Sequence, residues 1–140
     1  MYQKQLDAVI QAWNTGNVDL LDDVVDNNIV RTAPEAITRN ISDLKQFKTL
    51  ITDFRKAFPD MKVTVKETYF SDGHGTIKWN FQGTNTGPGE MPPTNKAVDI
   101  TGVSLAKYEN EKLVREELYF DALEMLSQLG HLSVPKAASA

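Results

Sequence analysis

Few side chains in this 140-residue sequence are equipped for covalent or acid–base chemistry. It has no cysteine, which excludes thiol catalysis, disulfide frameworks and Cys-based zinc or iron–sulfur sites. His74 and His131 are the two histidines, too few and too far apart for a multi-His metal centre. His74 sits between Gly73 and Gly75 in a predicted hairpin turn, and His131 follows Gly130, so both read as surface residues. Carboxylates are what remain.

Asp121 stands at a strand-to-helix junction among Leu118, Phe120, Leu123 and Leu126. A carboxylate facing an apolar cavity there would have its pKa raised, which suits general acid–base work. The same residue opens Asp121-Ala122-Leu123-Glu124, a D-x-x-E pattern in which Asp caps the following helix, and the cap accounts for it without chemistry. Glu116 and Glu117 adjoin Arg115 on the preceding strand. Neighbours on a strand point to opposite faces, so at least one glutamate is expected on the convex face. If Asp121 keeps the strand's parity, Glu117 and Tyr119 share its side.

Gly102, Ser104 and Ala106 form a row of small side chains on one face of another strand. The row leaves room either for a ligand or for close packing of a bulky neighbour such as Trp79. Trp13, Trp79 and Phe54 read as core or cavity wall.

The elements that must position these residues divide into two halves. Leu6, Val9, Ile10 and Trp13 share a helical face that Gly16 closes. A short helix from Val18 to about Val25, with Asn17 as its cap, and an extended stretch from Ile29 to Ala33 are expected next. After Ser42, the stripe Leu44, Phe47, Leu50, Ile51, Phe54, Ala57 and Phe58 predicts a helix that Pro59 ends. Alternation then predicts strands over 61–70, 76–83, 97–108 and 113–120, with a terminal helix over 122–129. Residues 133–140 are small and polar and read as a flexible tail after a single domain over 1–132. Helices followed by a strand meander give an α+β fold, a curved antiparallel sheet covered on one face by three helices. Strands this long cannot be covered along their whole length, so the sheet is expected to form a cone with an internal pocket.

Composition limits the partners. Nineteen acidic against fifteen basic residues, with no basic block, excludes a phosphate-gripping nucleic-acid binder. No apolar run reaches the ~20 residues that cross a bilayer, and the N-terminus has no signal-peptide pattern, so a cytoplasmic protein is expected. Phosphate-loop, dinucleotide, nucleophile-elbow and zinc-protease motifs are missing from the sequence.

Phe58-Pro59-Asp60, Trp79, Gly83-Thr84-Asn85-Thr86-Gly87, Pro92-Pro93-Thr94-Asn95-Lys96, Asp121 and Gln128-Leu129-Gly130 together resemble the SnoaL-like polyketide cyclases. These are also known as ester cyclases and belong to the nuclear transport factor 2-like superfamily. The likeness runs from about residue 5 to 131. It implies an α+β cone, a homodimer or higher oligomer built on the sheet face, and a pocket for a small hydrophobic molecule. It also implies ring closure by aldol condensation without a metal or organic cofactor, with Asp121 as the acid–base residue. Ser104, Trp79, Thr32, Tyr119, Trp13 and Phe54 are the expected substrate-binding residues. Where the cyclases often carry His, this chain has Ser104, Thr32 and Asn85. Such a pocket keeps hydrogen-bonding groups but has no imidazole to tune a proton transfer.

Overall fold

The computed structural model describes residues 1–133 and 135, so 134 and 136–140 of the expected tail lie outside the described residues. Helix α1, Gln3–Thr15, buries Leu6, Val9, Ala12 and Trp13 along one face. Gly16 ends it at φ 81°, a left-handed conformation that glycine adopts without steric cost, and its amide donates to the Ala12 carbonyl. The carbonyls of Trp13 and Asn14 accept from Arg55 Nη1 at 2.9 and 3.0 Å, so helix α2, Leu44–Ala57, closes the end of α1.

The side chain of Asp43 caps α2 by accepting from Gln46 N at 2.7 Å, while Gln46 Oε1 accepts from Ser42 N at 2.9 Å. Phe47, Leu50 and Ile51 of α2 are fully enclosed in the core.

The sheet contains β1 (Val25–Thr32), β2 (Lys62–Ser71), β3 (His74–Thr84), β4 (Ala97–Glu109) and β5 (Lys112–Phe120), in the order β1-β5-β4-β3-β2. It is curved and open, and four of its five strands match the predicted runs. The first differs. In place of a helix to Val25 and a short stretch from Ile29, a 3-10 turn over Val18–Leu21 leads into an eight-residue strand. Asn17 makes no side-chain cap there. Strand β1 lies parallel to β5, pairing Arg31 with Glu116 and Thr32 with Glu117, so the sheet is mixed and not purely antiparallel. A pairing between residues this far apart in sequence outweighs local helix signals, and periodicity cannot register it.

Helix α3, Ala122–Gln128, buries Met125 and is tied to β4 through Gln128. Gln128 Oε1 accepts from Asp99 N at 2.7 Å, and its Nε2 donates to the Asp99 carbonyl at 3.1 Å. Other motif residues form a second clamp at the end of α2. The Asp60 carboxylate accepts from Thr84 N and Oγ1 at 2.7 and 2.8 Å, which holds its pKa below the usual carboxylate value. Asn85 bridges the Ala57 carbonyl and Thr94 N. No helix among the described residues is long and apolar enough to cross a membrane.

Candidate active site

Between the helices and the inner face of the sheet lies a cavity of about 100 Å³ with mainly apolar walls. Leu6, Val9 and Trp13 of α1, Phe54 of α2, Ile77 and Phe81 of β3 and Ile100 of β4 form much of its lining. Four polar side chains interrupt the apolar surface: Arg31, Thr38, Ser104 and Glu116.

Arg31 and Glu116 are cross-strand neighbours on β1 and β5. Arg31 Nε donates to Glu116 Oε1 at 2.7 Å, with the two side chains only 6% and 13% exposed. The guanidinium also lies over the rings of Trp13 and Phe47, 5.4 and 5.3 Å from their centroids. Arginine has five N–H donors, and Nε is the one that meets a described hydrogen-bond partner here. Glu116 likewise commits Oε1 and leaves Oε2 without a described donor. Thr38 Oγ1 is buried with no partner at all among the described residues. A buried unpaired hydroxyl costs on the order of 1–3 kcal/mol. The cavity lining therefore carries donors and an uncommitted carboxylate oxygen among mainly apolar side chains.

Of the residues expected from sequence to bind substrate, Trp13, Phe54, Trp79 and Ser104 line this cavity. Thr32, Tyr119 and Asp121 are not among the lining residues. Tyr119 is 59% exposed on the outer sheet face, where its hydroxyl donates to Glu117 Oε2 at 3.0 Å. Thr32 pairs with Glu117 and shares that outward parity. Asp121 is exposed at the N-cap of α3, where Oδ1 accepts from Glu124 N at 3.0 Å. The D-x-x-E cap reading is the one that describes its surroundings.

Arg31, Glu116 and Thr38 were not anticipated. Arg31 stands one residue from Thr32, and on a strand one residue is the difference between the two faces. Its signal was the alternation Ile29-x-Arg31, which places the arginine on the buried side. For Glu116 the signal was its shared parity with Leu118 and Phe120, both lining the cavity. Thr38 lies in the loop between β1 and α2 and had no periodicity to mark it. His74 and His131 are exposed and outside the lining. Among the described residues, no three His, Asp or Glu side chains converge to hold a metal ion.

The family model described as SnoaL-like polyketide cyclase matches residues 3–129. The chain belongs to that family. TsrD from Streptomyces laurentii superposes with a TM-score of 0.82 at 17% identity, covering 93% of this chain and 95% of that one. IdmH from Streptomyces antibioticus gives a TM-score of 0.77 at 19% identity, with coverage of 93% and 99%. A protein with a ketosteroid isomerase-like fold from Catenulispora acidiphila gives 0.76 at 17% identity, with coverage of 91% and 93%. At these identities the likeness establishes the fold. Among curated proteins, none matches the sequence.

Proposed function

We propose that this SnoaL-like protein binds a small, largely apolar carbonyl compound in the cavity and transfers a proton on it, as a cofactor-independent aldol cyclase or isomerase does. The observation that carries this reading is the buried Arg31–Glu116 pair with its unspent donors and free carboxylate oxygen. Glu116 Oε2 takes a proton from the carbon beside the carbonyl, while an Arg31 Nη–H donates to the carbonyl oxygen as charge develops there. The enolate then either regains the proton at another carbon or attacks a second carbonyl, whose oxygen receives the proton from Glu116. Apolar walls hold the reacting groups close and exclude water. Asp121 held the acid–base role in the sequence-based expectation. Capped onto α3 and outside the lining, it gives that role to Glu116 in this proposal.

Deuterium incorporation beside the carbonyl of cyclohexanone, followed by NMR, tests the assignment. Native protein should accelerate exchange, Glu116→Gln should lose roughly 100-fold or more of that acceleration, and Asp121→Asn should keep it. The reverse order would return the role to Asp121. Exchange at the buffer rate, with cyclohexanone bound, would favour a non-catalytic binding protein. That second reading draws support from Glu116 being already paired with Arg31.

We further propose a homodimer through the outer sheet face, where Val30, Leu105 and Tyr119 leave apolar surface exposed on adjacent strands. Light scattering should report a dimer that Leu105→Glu dissociates, and a native monomer at all concentrations would contradict it.

A further inference from the structure

We infer that Trp79 sets the size of the ligand, limiting it to a single ring bearing a neutral carbonyl group. This rests on the reading of the cavity as the ligand site and adds a limit that neither the family nor the fold supplies.

The indole is fixed from three directions. Its Nε1–H donates to Ser104 Oγ at 3.0 Å. Its cross-strand partner on β4 is Gly102, where any β-carbon would run into the six-membered part of the indole. Phe120 meets it edge-on, with ring centroids 5.8 Å apart and planes at 67°. A ring anchored by a hydrogen bond and seated on a bare glycine belongs to the wall and does not swing aside for a ligand. The space it leaves is about 100 Å³. A cavity of ~150 Å³ accepts benzene, whereas sites for drug-sized ligands occupy ~300–1,000 Å³. The space is nearer the benzene-sized cavity than the drug-sized one, so it admits at most one ring, and two fused rings meet the indole.

Charge narrows the class further. Arg31 and Glu116 already neutralise one another. A carboxylate ligand would bring a second negative charge beside Glu116 among mainly apolar walls, whereas a neutral carbonyl accepts from Arg31 without that penalty.

Calorimetric titration with cyclohexanone, 1-decalone and cyclohexanecarboxylate tests this on native protein and on Trp79→Leu. Native protein should bind cyclohexanone at least about tenfold more tightly than the other two. Trp79→Leu should gain about tenfold or more for 1-decalone while cyclohexanone holds or weakens, closing the gap between the two ketones. Should the leucine variant fail to fold, Trp79→Phe removes less of the wall and should shift the same ratio in the same direction. Equal binding of the two ketones by native protein, or an unchanged ratio in a folded variant, overturns the size limit and leaves the cavity reading standing. Preference for the carboxylate overturns the neutral-ligand class. Absence of any ketone binding in native and variant proteins overturns the cavity reading, and this inference with it.

Discussion

Strand β5 carries two adjacent glutamates, and each is paired with an arginine. Inside, Glu116 meets Arg31 at 2.7 Å with the side chains 13% and 6% exposed. Outside, Glu117 meets Arg115 at 2.9 Å with exposures of 28% and 53%. The two contacts are nearly the same length, so distance does not separate them. Environment does. Water screens the outer pair, and such pairs add little to stability. The inner pair has given up its hydration to face aromatic rings and an apolar cavity, where each charge depends on the other. The comparison teaches that the geometry of an ion pair does not mark a site. A site is marked by polar atoms left unspent in a cavity with mainly apolar walls.

The largest expected effect breaks the inner pair. Arg31→Met leaves Glu116 buried without its partner and should cost about 3–5 kcal/mol in urea unfolding. The double variant Arg31→Met/Glu116→Leu should recover most of that loss while abolishing the proposed exchange activity. If the single variant lost no more than Arg115→Met, the contrast between the two faces would fail. Gly102→Ala perturbs the inner face without touching a charge. The added methyl meets the Trp79 ring and should cost about 1–3 kcal/mol by the same measurement.

Asp121→Ala removes a cap outside the cavity and should cost roughly 1 kcal/mol, with cyclohexanone affinity unchanged. The smallest effect belongs to the outer pair. Hydrogen bonds from Tyr119 and then Arg115 hold the Glu117 carboxyl below the ordinary value of 4.5. A lowered folded-state pKa means the contribution is present above about pH 4.5 and lost as pH falls through the folded value. NMR titration should find Glu117 titrating low and Tyr119→Phe raising it, with the urea midpoint near neutral pH scarcely moved.

Much of the fold was legible because β2 to β5 and α2 carry their own periodicity, and local pattern is what a single sequence displays. Strand β1 was not. Its Asp26-Asn27-Asn28 run has no alternation, and its place beside β5 is decided by residues nearly ninety positions away. The family was legible for a related reason. Asp60, Thr84 and Asn85 clamp the end of α2, and Gln128 docks α3 on β4, so the recognised motifs hold the scaffold together. They mark architecture, and of the recognised residues Trp79 alone is among those that line the cavity. The site was half legible. Large apolar wall residues such as Trp13, Phe54 and Trp79 announce themselves by type. The polar residues depend on strand parity, where Arg31 and Thr32, or Glu116 and Glu117, differ by one position and face opposite ways. Parity groups Asp121 with Glu117 and Tyr119 only if it runs past the strand's end; those two face outward, while Asp121 lies beyond β5, exposed at the cap of α3.

The location of the bound ligand tests the account most directly. Chemical-shift mapping during a cyclohexanone titration reads it residue by residue. The Arg31 Nε–H, the Trp79 indole N–H and the amides of Thr38, Ser104 and Glu116 should move together and saturate. The amides of Asp121 to Glu124 and of Glu117 should stay in place. Saturable shifts centred on Asp121 or on the outer face, with Arg31 and Trp79 unmoved, would contradict the inner pair as the functional centre.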